Sequence, residues 1–360
     1  MTAEAPLPPG STIGILGGGQ LGRMLAMAAA RLGLTCHIYS DVPSVPAFEV
    51  ALRHTVAAYD DEAALLAFAQ AVDVATVEFE NVPAAALATV ARDTTVFPPV
   101  RAVEVSQDRL MEKEFLKSHG IAVAPFACVD TAGDLEAAVQ TVGTPALLKT
   151  RRLGYDGKGQ VKLATQADLE PARAALADVP SLLEAFVAFE AEVSVLAVGG
   201  RSGAIAFYDP SRNRHEKQIL AESRVPSGLP PEIEDAARDI AARIVDDLDY
   251  VGVLCVEMFY CGADVERPLM VNEIAPRVHN SGHWTIDACL VSQFENHIRA
   301  IAGWPLGTTA RHSDAVMTNL IGPDVQDWPE HAGRDGVAVH LYGKREARPG
   351  RKMGHVTRLF

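Results

Sequence analysis

The sequence predicts a mixed α/β and α+β chain of more than one domain, and three observations carry that expectation. Strand and helix patterns alternate through the first hundred residues, shorter ones follow from 126 to 190, and apolar strand-like runs return between 251 and 274. At 360 residues the chain exceeds what one hydrophobic core sustains.

An apolar strand at 13–16 runs into Gly17-x-Gly19-x-x-Gly22, a helix takes 20–32, and a second strand takes 35–40. A helix near 61–71 and a strand at 73–79 complete an alternation that predicts a parallel sheet with right-handed crossovers. The turn "FPPV" at 97–100 closes this unit. "SQDRLMEKEFLKSHGI" then predicts an amphipathic helix capped by Ser106 and stopped by Gly120. Residues 126–190 read as a small α+β insert, and 193–208 and 251–274 as strands, the latter split by the polar turn "CGADVERP". An apolar helix at 287–302 precedes strand-like pieces around 315–321 and 336–342.

A net charge of −14 argues against a nucleic-acid or anionic-membrane partner, because phosphate-backbone binding needs a basic surface. Any anion site must therefore be a local basic cluster. Five cysteines, at 36, 128, 255, 261 and 289, form no C-x-x-C pair, which favours free thiols in a reducing compartment. No apolar run approaches the roughly 20 residues of a membrane helix. Residues 1–11 read as a Pro-rich leader without the basic and apolar regions of a signal peptide. A cytoplasmic chain is expected.

Five constellations carry chemistry. Lys149 ends an apolar strand and "GYDGKGQ" at 154–160 follows, where Gly154, Gly157 and Gly159 let backbone amides close on phosphate and let a lid move. A hairpin turn with a solvated lysine is the alternative. Glu257 and Glu273 sit mid-strand among apolar residues, which is costly unless they are paired or bind metal. Two such oxygen ligands on strands joined by a short turn suit Mg²⁺, with Asn272 beside them. Next come Arg277, His279, Asn280 and His283, a dense donor run in which the planar Arg277 fork suits a small oxyanion such as bicarbonate. His283 reads equally as structural. Lys344, Arg345, Arg348, Arg351 and Lys352 form the densest basic run, suited to a phosphomonoester or simply a solvated tail. Finally, "VEFENVP" puts Glu78 and Glu80 on one face at the end of a strand, the edge where open α/β sheets bind ligands.

Together, "GGGQLGRM", "EFENVP", "SQDRLMEKEFL", "GYDGKGQ", "NEIAPRVHNSGHWT" and "YGKREARPGRKMGH" resemble, in order, the ATP-grasp superfamily. Within it the chain is similar to the N5-carboxyaminoimidazole ribonucleotide synthetases of purine biosynthesis, the ATPase subunit of phosphoribosylaminoimidazole carboxylase. The resemblance runs from about residue 12 to 357. It implies a Rossmann-like pre-ATP-grasp domain at 12–105, an ATP-grasp domain at 106–305 with a mobile lid at about 125–190, and a C-terminal domain at 306–360. It also implies ATP and Mg²⁺, the substrates 5-aminoimidazole ribonucleotide and bicarbonate, a carboxyphosphate intermediate and a homodimer.

Carried over residue by residue, Arg109 and Lys149 are expected at the nucleotide. Gly154, Tyr155, Asp156, Gly157, Lys158, Gly159 and Gln160 fold over its phosphates. Glu184, Ala185, Phe186 and Val187 form the adenine hinge, Glu192 meets the ribose, and His215, Asn272 and Glu273 are further nucleotide contacts. Glu257 and Glu273 hold Mg²⁺, while Arg277, His279 and Asn280 serve bicarbonate and the amine. Tyr155, Asp156, Lys344, Arg351 and Lys352 address the ribonucleotide, beside Gln20, Leu21 and Glu78. Of these, Tyr155, Asp156, Lys158, Arg277, His279, Asn280 and Lys344 are the expected catalytic residues. Val278 stands where the family often has proline, and Ala185 and Ala188 are small for that hinge.

A nicotinamide-dependent dehydrogenase rivals this reading through the glycine fingerprint and Asp41 near the ribose-binding position. It leaves the second glycine loop, the carboxylate pair and the basic run unexplained. Another ATP-grasp ligase of purine ribonucleotides, such as one using formate, is the nearer alternative.

Overall fold

The computed structural model describes residues 5–131, 133–154, 159–175 and 179–360. Strands β1 (Thr12–Leu16), β2 (Thr35–Ser40), β3 (Arg53–Val56) and β4 (Val74–Val77) form a parallel sheet in the order β3-β2-β1-β4. The apolar runs of β1 and β4 are buried on both faces, as a parallel strand covered by helices requires. Between β1 and β2 lies α1 (Gln20–Arg31), an Ala-rich helix that buries Leu21, Leu25 and Ala29 and stops before Gly33, at φ +73°. The sequence pattern did not reveal β3, whose polar, mostly exposed residues suit the edge it occupies. Helices α2 (Glu62–Ala69) and α3 (Ala84–Val90) pack against this sheet.

The single helix expected from Ser106 to Gly120 is instead two, α4 (Val100–Gln107) and α5 (Arg109–Ser118). Asp108 breaks them apart, and its carboxylate accepts from the amides of Leu110 at 3.0 Å and Met111 at 3.4 Å. Ser106 lies inside α4 and donates to the Val103 carbonyl. Both residue types cap helices. Asp108 prevails here because it is also the buried anion for Arg151 at 2.9 Å and Arg152 at 3.2 Å. Gly120, at φ +68°, ends α5 as expected.

The insert is an antiparallel sheet in the order β5-β8-β6-β7, made of β5 (Phe126–Val129), β6 (Ala146–Thr150), β7 (Gln160–Leu163) and β8 (Ser181–Ala185). It builds its own small core with α6 (Asp134–Val142) and α7 (Leu169–Ala175).

The remaining strands form one nine-stranded sheet, β14-β13-β9-β11-β12-β15-β17-β16, with β10 paired to β9. They are β9 (Ala191–Gly199), β10 (Ile205–Phe207), β11 (Ser211–Glu216), β12 (Ile219–Val225), β13 (Gly252–Tyr260), β14 (Leu269–Ala275), β15 (Ala315–Ile321), β16 (Val337–Leu341) and β17 (Lys352–Leu359). This sheet continues past residue 306, because β12 pairs with β15. The basic run is therefore no tail. It joins β16 to β17, a strand the sequence pattern did not reveal. Helix α8 (Pro231–Asp247) leads into β13. The helix expected at 287–302 is shorter: α9 (Thr285–Ala288) is one turn, Cys289 is extended, and Ser292 caps α10 (Gln293–Ile301) through the Glu295 amide.

One apolar cluster joins the first and last sheets through Ile13 and Leu25, Leu196 and Val253, and Ile298 of α10. At its edge the buried His297 ring accepts from the Val253 amide at 3.0 Å and meets the Thr76 hydroxyl at 2.8 Å. Packing thereby fixes the C-terminal edge of β4 against the segment following β14. No helix among the described residues is long and apolar enough to cross a membrane.

Candidate active site

The antiparallel register of β13 and β14 sets Glu257 directly opposite Glu273, so both carboxylates leave the same face of the sheet. A register shift follows Glu257, where the strand bends. Each carboxylate is paired with a nearby cation. His279 Nε2 lies 2.9 Å from Glu257, and Arg109 Nη1 lies 3.0 Å from Glu273. Burial alone would raise the Glu257 pKa, but His279 outweighs it and holds the carboxyl at about 2. Burial would likewise depress His279, yet Cys255 and Glu257 lift it to about 10. Two hard oxygen donors brought together by cross-strand pairing fit Mg²⁺.

The donor run begins as β14 ends. Arg277 pairs with Glu80 and donates to the Val278 carbonyl at 3.0 Å. Burial opposes ionisation of Glu80, but Arg277 overcomes this and holds its carboxyl below the usual range. Asn280 is locked by a reciprocal amide pair with Asn319, at 3.0 and 2.7 Å. His283 is fully buried behind the run and is structural, with its Nδ1 3.2 Å from Gln293.

On the insert sheet, Lys149 and Gln160 pair between β6 and β7. Gly154 accepts from Arg109 at 3.2 Å, and Gly159 takes φ +72° against Thr150. Tyr155, Asp156, Gly157 and Lys158 lie outside the described residues. The Glu184 side chain is buried. It lies between Lys149 at 2.6 Å and Lys113 at 3.6 Å, and only Ala185, Phe186 and Val187 have open surface in that segment. Glu192 and His215 bond each other at 2.6 Å, with both side chains half-buried.

Sequence reasoning missed a second layer beneath these groups. Lys113 donates to the Asn272 carbonyl at 2.7 Å, and Glu112 accepts from the Ile274 amide at 2.7 Å, so α5 grips β14 on both sides of Glu273. Burial pushes the Glu112 carboxyl up to about 8. The visible signal was adjacent charged residues on an apolar-patterned helix, but only packing shows that both point inward.

The first glycine loop holds an internal anion. Glu78 accepts from the amides of Gly19 and Gly22, where a dinucleotide-binding loop would receive a pyrophosphate. Gln20 is half-buried at the mouth of this loop, whereas the Leu21 side chain belongs to the core. Within the basic run Lys344, Arg351 and Lys352 are half-buried, while Arg345 and Arg348 are exposed. Lys344 donates to the Lys352 carbonyl at 2.6 Å, tying the two ends of the run together.

Comparison with known proteins agrees with this arrangement. Family models match in order: a ribonucleotide synthetase preATP-grasp domain at residues 11–107, an ATP-grasp domain at 114–294, and a phosphoribosylaminoimidazole carboxylase C-terminal domain at 315–360. The N5-carboxyaminoimidazole ribonucleotide synthase of Brucella melitensis is 53% identical over 99% of this chain and 98% of its own length. An N5-carboxyaminoimidazole ribonucleotide synthetase solved as its ADP complex superposes with a TM-score of 0.95, at 39% identity over 100% of this chain and 94% of that one. The Aspergillus clavatus N5-carboxyaminoimidazole synthase, solved with ADP and 5-aminoimidazole ribonucleotide, gives a TM-score of 0.90 at 31% identity, covering 98% of this chain and 94% of that one. With three domain models in order and relatives matched along nearly their full length, this chain belongs to the ATP-grasp superfamily and, within it, to the N5-carboxyaminoimidazole ribonucleotide synthases.

Proposed function

We propose that the chain carboxylates the exocyclic amine of 5-aminoimidazole ribonucleotide at the expense of ATP, with bicarbonate as carbon source, giving N5-carboxyaminoimidazole ribonucleotide, ADP and phosphate. The observation that carries this reading is the cross-strand pair Glu257–Glu273 followed directly by the Arg277–Asn280 donor run, in a chain of this family. The domain limits are 12–105, 106–305 and 306–360, and the enzyme acts as a cytoplasmic homodimer.

Glu257 and Glu273 would hold Mg²⁺, which when bound would supply positive charge against the nucleotide phosphates. Arg109 and Lys149 bind those phosphates. Ala185 to Val187 receive the adenine through backbone groups, and Glu192 with His215 receives the ribose. Arg277 and His279 orient bicarbonate for attack on the γ-phosphate, and the two cations stabilise the charge that develops. Carboxyphosphate hydrolyses readily, so the site must exclude water before the amine captures its carboxyl group. The ribonucleotide phosphate is held by Lys344, Arg351 and Lys352, with Gln20 and Glu78 at the other end of the molecule.

Phosphate release measured with ATP, bicarbonate and 5-aminoimidazole ribonucleotide, each omitted in turn, tests the proposal. Turnover that needs all three supports it. Turnover indifferent to the ribonucleotide, or supported by formate in place of bicarbonate, removes it.

A further inference from the structure

Cys255 has no role in the reaction above, yet its thiol converges with two groups that do. Ligand atoms of Cys255, Glu257 and His279 all lie within 4.8 Å of one another. Cys255 and Glu257 alternate along β13 and so face one side of it. His279 arrives from the segment after β14 and sets its Nε2 2.9 Å from Glu257. Its other nitrogen is held by the Ser281 hydroxyl at 2.9 Å, and Ser281 in turn accepts from Ser194 at 2.7 Å. Ser281 Oγ is also 3.9 Å from the Cys255 sulfur.

This donor set differs in kind from the carboxylate pair. Mg²⁺ takes oxygen ligands and has little use for sulfur or imidazole nitrogen. A thiolate, an imidazole and a carboxylate suit a borderline-soft cation, and three protein ligands leave the fourth tetrahedral position open. The outer hydroxyl on His279 Nδ1 is the support a metal-ligating imidazole needs to present Nε2. Binding forms bonds from the cation to sulfur, nitrogen and oxygen, and any proton those ligand atoms carry leaves to solvent, with no change of oxidation state.

The other candidate group of three among the described residues is Asp287, His340 and His355. It offers no sulfur ligand, and its two rings stack with centroids 4.5 Å apart and planes at 14°.

We propose that Cys255, Glu257 and His279 form a binding site for a thiophilic divalent cation of the Zn²⁺ kind, and that its occupation switches the enzyme off. The bound cation takes Glu257 from Mg²⁺ and His279 from the donor run, so the two metals compete for Glu257 and excess Mg²⁺ raises the Zn²⁺ concentration needed for inhibition. The binding claim stands independently of the proposed reaction, and the inhibition claim rests on it.

The test uses purified full-length chain and Zn²⁺ alone, in competition with a chromophoric chelator and without ATP. The wild type is expected to bind one Zn²⁺ per chain, and Cys255→Ala to bind it at least about 100-fold more weakly, since even loss of an outer partner costs about 10–100-fold. Co²⁺ in place of Zn²⁺ is expected to show a thiolate-to-metal charge-transfer band in the wild type and none in the variant. In the phosphate-release assay, with each protein measured against its own Zn²⁺-free rate, Cys255→Ala is expected to lose the inhibition by Zn²⁺ that the wild type shows. Cys255→Ser, nearly isosteric, repeats the comparison if the alanine variant folds poorly. Equal Zn²⁺ affinity in wild type and variants, or Co²⁺ bound without the sulfur band, overturns the site. Zn²⁺ binding that depends on Cys255 but leaves turnover untouched overturns the switch.

Discussion

The carboxylate of Glu78 accepts the amide of Gly19 at 2.8 Å, and with its second oxygen that of Gly22 at 3.1 Å. A loop with the dinucleotide fingerprint is thereby satisfied from within, by an anion at the N-terminus of α1, where the helix dipole favours one. Glycine is required at this approach. A Cβ on Gly17, at φ +102°, would sit 2.5 Å from the Glu78 side chain. Glu78→Ala leaves two partly buried amides without acceptors, at about 1–3 kcal/mol each. Denaturant unfolding is expected to show that loss, and calorimetric titration of the wild type with NADH is expected to show no binding. Unchanged stability in Glu78→Ala would mean that the loop does not depend on this anion.

Glu257→Gln and Glu273→Gln test the carboxylate pair. Each keeps side-chain volume and removes the charge that attracts a divalent cation. Phosphate release is expected to fall at least about 100-fold in either variant, with a raised Mg²⁺ requirement, in the range for losing a group that stabilises the transition state. A variant retaining wild-type kcat at ordinary Mg²⁺ would remove its residue from the metal site.

Lys344→Ala combined with Arg351→Ala is expected to raise the KM for 5-aminoimidazole ribonucleotide, each lost charged contact costing about 1.5–3 kcal/mol. Arg345→Ala serves as the control, because Arg345 is exposed beside them. Equal KM values in the double variant and the control would exclude the run from the substrate site.

Glu184 is the shared anion of two buried lysines, Lys149 and Lys113. Burial would raise its pKa, but the two ammonium groups outweigh that and hold it at about 2. Glu184→Gln leaves both cations without a counter-charge and is expected to cost about 3–5 kcal/mol in urea unfolding. The wild-type contribution is complete above pH 4.5, the ordinary value, and is lost as pH falls toward 2. A stability change below about 1 kcal/mol, the scale of an exposed ion pair, would contradict the buried arrangement.

His297 titrates over a window that begins higher, at pH 6.5, and overlaps that of Glu184 below pH 4.5. It is neutral in the fold, accepting from Val253 and bonded to Thr76, and burial lowers its pKa from 6.5 to about 3. Its contribution is therefore complete above pH 6.5 and declines as pH falls toward 3. Wild-type stability is expected to drop through this window by up to about 1.4 kcal/mol per pH unit from this group. His297→Phe is expected to be less stable at pH 7 and to have a flatter profile between pH 6.5 and 4.5. Parallel profiles for the two proteins would show that another group governs acid unfolding.

The sequence by itself determined every feature written in local periodicity or residue chemistry. The alternation of β1, α1, β2, α2 and β4 was legible because parallel strands are apolar throughout and helices repeat at 3.6 residues. Glu257 and Glu273 stood out because carboxylates are expensive among apolar strand residues. What stayed hidden depends on partners far along the chain. Asp108 rather than Ser106 breaks the helix because Arg151 and Arg152 arrive from the insert to hold its charge. β3 and β17 are strands because neighbours supply their hydrogen bonds, which their polar composition did not advertise. Glu78 meets the glycine loop and Glu80 meets Arg277 only after β4 lies beside β1 and His297 has joined the first sheet to the last. Local pattern states which residues must be buried or charged, and tertiary packing alone decides which opposite group satisfies each of them.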